Sequence, residues 1–89
     1  MNRSEPGPEK FEVVIIYSGV KKALKVIFDE AMKNVLDHAI ALFGSPPNPH
    51  TLALFTEAGQ ELPVTGTVKE AGVKPGEKLL LRPSAVRGG

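Results

Sequence analysis

The stretch FEVVIIYSGVKKALKVIF, Phe11 to Phe28, carries two β-branched runs on either side of Ser18-Gly19. Those two residues suit a two-residue hairpin loop, and the runs beside them suit strands. A turn there sets Tyr17 against Val20, Ile15 against Lys22, Val13 against Leu24 and Phe11 against Val26. One face then collects Phe11, Val13 and Ile15 with Leu24, Val26 and Phe28. The other pairs Glu12 with Lys25, a favourable cross-strand charge pair. In AMKNVLDHAIALFG the period changes from two to 3.6, because Met32, Val35, Leu36, Ala39, Leu42 and Phe43 recur at i, i+3, i+4, i+7, i+10 and i+11. This spacing predicts one apolar helical face of about four turns. Asp29 is placed to cap it, Gly44 to stop it, and Pro46-Pro47 to prevent its continuation.

TLALF, from Thr51 to Phe55, reads as a third strand with Leu52 and Leu54 inward and Ala53 and Phe55 outward. TEAGQELP is a turn leading to Leu62. TVKEAGV suits a short helical turn anchored by Val68 and Val73, and Pro75-Gly76 has the residue types of a type II turn. KLLLR closes the order as a strand with Leu79 and Leu81 inward and Leu80 outward. The predicted fold is α+β, a mixed four-stranded sheet with one main helix packed across one face, because neither the hairpin nor the helix has another surface to cover.

Composition narrows the functions such a domain can have. Its 89 residues suffice for one domain, and 42% hydrophobic with 24% charged residues is a globular balance. The polar start MNRSEPGPEK reads as a disordered tail over residues 1–10, leaving a domain over 11–81 and a flexible tail over 82–89. A domain of that size has little room for a deep enzyme pocket. Eleven basic and ten acidic residues are interspersed for a net charge of +1, which argues against nucleic acid and membrane surfaces as partners. With no cysteine, disulfides, thiolate metal sites and cysteine nucleophiles are excluded. The longest apolar stretch, Val13 to Tyr17, is too short to span a bilayer, and the N-terminus lacks the apolar segment of a signal peptide. The expected location is cytoplasmic.

The assembled order, ending in Arg87-Gly88-Gly89, resembles ubiquitin and its β-grasp relatives over nearly all of residues 11–89. NVLDHAIALFGSPPNPHTLALF is similar to the family's helix, glycine stop, proline pair and third strand. ELP followed by TVKEAGVKPGEKLLL is similar to its buried leucine, short helical segment and last strand. Among relatives the chain looks like bacterial ubiquitin-like modifiers, which are encoded beside activating, conjugating and JAMM-type peptidase proteins. The resemblance implies that the protein is not an enzyme and has no cofactor of its own. The Gly89 carboxylate is expected to be adenylated by an activating enzyme that uses ATP, passed to a cysteine as a thioester, and joined to a target lysine. A sulfur carrier, in which the adenylate becomes a thiocarboxylate, shares the fold and the Gly-Gly end. An interaction module that is never conjugated is a third reading.

The residue types suit this chemistry. Gly88 and Gly89 lack a Cβ and can thread a narrow channel. The eight residues after Leu81 extend roughly 26–29 Å at most. Arg87 and Arg82 offer fixed charges and planar donor forks to an activating enzyme. Strand alternation also gathers Val14, Ile16, Ala53, Phe55 and Leu80 on the face away from the helix, flanked by Arg82 and Ile27. An apolar cluster there is a candidate partner surface, and the corresponding face of ubiquitin is its main docking patch. Gapless alignment through the helix and prolines puts Ala53 at the family's central isoleucine, whereas anchoring on Leu62 puts Phe55 there. Arg82 stands where the family has a patch valine. His38 and His50 read as surface residues, not metal ligands. Eight lysines are available as acceptors, although Gln60 occupies the position aligned with the best-known chain lysine, which weighs against chains.

Overall fold

Ser18 and Gly19 both adopt left-handed backbone conformations, with φ of +49° and +79°. Positive φ at both central residues is what a two-residue hairpin loop needs to match the twist of its strands. The loop joins β1 (Lys10–Tyr17) to β2 (Val20–Ile27). Their register is the expected one, from Tyr17 opposite Val20 to Phe11 opposite Val26, with Glu12 opposite Lys25. The computed structural model describes residues 10–44 and 46–84. The tails expected at the two ends therefore lie largely outside the described residues. Strand pairing carries the folded part past the expected 11–81 at both ends, because Lys10 pairs with Ile27 and Pro83 with Leu52.

Helix α1 (Met32–Leu42) follows, with Met32, Val35, Leu36 and Ala39 buried and Leu42 and Phe43 at the margin. It spans three turns, not four, and Asp29 does not cap it. Glu30 N–H donates to the Ile27 carbonyl, and the Glu30 carboxylate accepts from Ile27 N–H, so a closed turn occupies the place of a first helical turn. Ala31 is the capping position, and the Met32 N–H donates to the carbonyl of Gly66 at 3.0 Å. This turn also carries Phe28 beyond β2. Phe28 is 37% exposed and lies against Phe11, with ring centroids 4.6 Å apart, so it is not the inner-face core residue expected. Phe11 and Leu24 are only half-buried. Gly44, at φ +73°, ends the helix as its residue type predicts.

Strand β3 (Leu52–Thr56) turns Leu52 and Leu54 to the core. Helix α2 (Val68–Ala71) is a single turn held by a reciprocal capping box between Thr67 and Glu70, with Val68 fully buried. Lys74 to Glu77 form a turn closed by the Glu77 N–H to Lys74 carbonyl bond, with Gly76 at φ +79°, as a type II turn requires. Strand β4 (Lys78–Pro83) then enters the middle of a four-stranded sheet ordered β2-β1-β4-β3, parallel to β1 and antiparallel to β3. One layer of sheet and one main helix enclose the core, formed by Val13, Ile15, Val26, Leu52, Leu54, Leu79 and Leu81 below the helix with Leu62, Val68 and Val73 from the connection.

Candidate functional site

Alternation along β4 decides what the free face carries. Leu79 and Leu81 point into the core, so Lys78, Leu80 and Arg82 point away from it. Leu80 lies opposite Ile16 on one side and Phe55 on the other; Lys78 lies opposite Val14, and Arg82 opposite Ala53. Thus Val14, Ile16, Leu80, Ala53 and Phe55 share one face, as expected. Lys21, Lys25, Lys78 and Arg82 surround them, with Glu12 the acidic member of the same register.

The β3 half of this face is closed. Ala53 is 0% and Phe55 8% exposed, although neither belongs to the core beneath the helix, while Val14, Ile16 and Leu80 are half-buried. The Arg82 guanidinium stands over the Phe55 ring, 4.8 Å from its centroid. The cation and the π face attract while the side chain screens the ring from water. Beside β3 the chain doubles back. Thr56 N–H donates to the Gln60 carbonyl, Leu62 N–H to the Leu54 carbonyl, and Glu61 bridges to Phe55. Glu61 therefore lies along the flank of β3 opposite β4.

Ser84, just after β4, is 2% exposed. Its N–H donates to the Thr51 carbonyl at 2.9 Å, and its hydroxyl donates to Glu61 Oε1 at 2.8 Å. The sequence reading missed this pair. A serine two places beyond Arg82 in the strand alternation was the available signal, but its partner depends on how the 57–61 turn folds back. Arg87, Gly88 and Gly89, the expected reacting end, lie outside the described residues.

Other polar groups have structural partners. Lys22 faces the helix side of the hairpin, an unusual place for a charge. It donates to the Leu42 carbonyl at 3.1 Å and lies 5.3 Å from the Phe43 centroid, satisfying a helix end that has no partner within the helix. His38 Nδ1 lies 3.3 Å from Glu30 Oε2 at an open cleft also lined by Lys10, Lys25, Val26 and Ile27. Among the described residues no cluster of three His, Asp or Glu side chains could hold a metal, and no helix is long and apolar enough to cross a membrane.

No family model and no curated protein matches the chain. Solved structures do. A de novo design based on ubiquitin is 25% identical with a TM-score of 0.74, over 89% of this chain and 94% of the design. The ubiquitin of Caldiarchaeum subterraneum is 26% identical with a TM-score of 0.71, over 91% of this chain and 100% of that one. A ubiquitin-like domain from Arabidopsis thaliana, 18% identical, has a TM-score of 0.72 over 100% of this chain and 94% of its own. With the strand order and the helix across one face, these likenesses identify the fold as the ubiquitin-like β-grasp.

Proposed function

We propose that the chain is a ubiquitin-like protein modifier, a substrate of an activating enzyme and not itself an enzyme. The observation carrying this reading is the position of β4. A central strand of a ubiquitin-like sheet brings the chain to Ser84, five residues before Gly89 and beside an apolar face with a basic rim. In the proposed chemistry the Gly89 carboxylate attacks the α-phosphate of ATP in the partner's site, giving an acyl-adenylate and pyrophosphate. An enzyme cysteine displaces AMP to form a thioester. A target lysine amine then displaces the thiol, leaving an isopeptide bond that a JAMM-type peptidase can hydrolyse. This setting is cytoplasmic, where ATP and reduced thiols are present.

Val14, Ile16 and Leu80 provide the apolar part of the docking face, and Arg82 with the neighbouring lysines favours partners with acidic surfaces. Arg87 contributes a fixed charge beside the reacting end. The run Pro83-Ser84-Ala85 favours the second reading, a sulfur carrier, since carrier tails often place a proline and small residues before the glycines. Incubation with ATP and an activating enzyme, followed by intact mass and gel mobility, separates the two. Thioester and lysine adducts that vanish when Gly89 is deleted are expected. A mass gain of one oxygen exchanged for sulfur would replace the modifier with the carrier. Loss of neither product nor function on deleting Gly89 would overturn both.

A further inference from the structure

The Ser84–Glu61 hydrogen bond joins two segments on opposite flanks of β3. Glu61 lies level with Phe55, while Ser84 N–H bonds to the carbonyl of Thr51, the residue just before β3. The two side chains meet at 2.8 Å. Ala53, opposite Arg82 on the outer face, is fully buried. The hydroxyl is buried and its acceptor is a carboxylate, so the bond belongs to the stronger, charge-assisted kind.

We propose that Glu61 and Ser84 form a clamp that sets the reach of Gly89, and that both are positioning residues for its activation. The proposal rests on the modifier reading. With Ser84 held, five residues follow it, and Gly89 lies at most roughly 16–18 Å beyond the clamp. If Ser84 and the last pairs of β4 with β3 are released, eight residues extend from Leu81, for roughly 26–29 Å. A longer span between the last held residue and Gly89 dilutes the carboxylate around the docked domain, with effective concentration falling roughly as the −3/2 power of length. The clamp therefore shortens the span between the last held residue and Gly89. Release lets it reach further at a lower local concentration.

The test compares the wild type with Glu61→Ala, Glu61→Gln and Ser84→Ala. Amide exchange is followed at Ser84 and at Ile15, which reports on the whole core. Ser84 exchange is expected to speed up on the order of tenfold in Glu61→Ala and Ser84→Ala, the loss of about one net hydrogen bond. Glu61→Gln keeps an accepting oxygen but loses the charge, so its Ser84 exchange should fall between the wild type and Glu61→Ala, and Ile15 should not change in any variant. Equal Ser84 rates in the wild type and Glu61→Ala, or equal acceleration at Ser84 and Ile15, would overturn the clamp. In activation assays the two alanine variants should raise KM about twofold or more with kcat unchanged, from the longer free span, and Glu61→Gln should restore it in part. An unchanged or lower KM alongside faster Ser84 exchange would overturn the positioning role. Failure of the wild type itself to be activated would remove that role together with the modifier reading, and the exchange rates would then decide the clamp alone.

Discussion

Replacing Arg82 with alanine should uncover the Phe55 ring, which the guanidinium covers at 4.8 Å. The expected cost is about 0.5–1 kcal/mol, read as a lower urea midpoint, because an exposed cation–π pair is worth roughly that much. Ala53→Leu tests the closed part of the same face. Forcing extra methylenes into this buried site should cost about 1–3 kcal/mol, read as a lower urea midpoint, whereas the same change on an open sheet face would not. Which residues share this face was legible from strand alternation alone. The cover over Phe55 was not, because it depends on Arg82 folding over the ring, and the Glu61–Ser84 bond depends on the chain doubling back beside β3. Neither contact leaves a periodic signal.

Among the elements, the hairpin was the most legible. Ser18-Gly19 admits a loop with positive φ at both positions, and that loop sets the register of all eight pairs. The start of α1 was not legible. Asp29 is a good capping residue by type, yet the Ile27–Glu30 turn claims its position, and the helix takes its first acceptor from Gly66, far along the chain. Helix α2 is too short to persist unaided. It depends on buried Val68, on the Val68 N–H to Glu30 carbonyl bond, and on the capping box. Thr67→Ala should therefore cost about 1 kcal/mol in thermal or urea unfolding. The double change Thr67→Ala with Glu70→Ala should cost less than the separate losses added together, since both remove the same reciprocal pair.

In the whole molecule, the order strand, strand, helix, strand, short helix, strand, together with the Arg-Gly-Gly ending, pointed to the fold, while the parallel pairing of β4 with β1 is seen only in the structure. The same arrangement separates stability from chemistry. The core ends at Leu81, while the proposed reacting group is at Gly89. Ile15→Ala, at a fully buried central position, should cost about 2–5 kcal/mol and threaten folding outright. Deleting Gly89 should leave the unfolding midpoint unchanged and abolish every covalent adduct. The most direct measurement follows from Arg87. Trypsin cuts after arginine, so a conjugated target digested and sequenced by mass spectrometry should show a lysine bearing Gly88-Gly89 on its ε-nitrogen. Conjugate preparations containing no such branched lysine, with Gly89 recovered free or as a thiocarboxylate, would contradict the modifier.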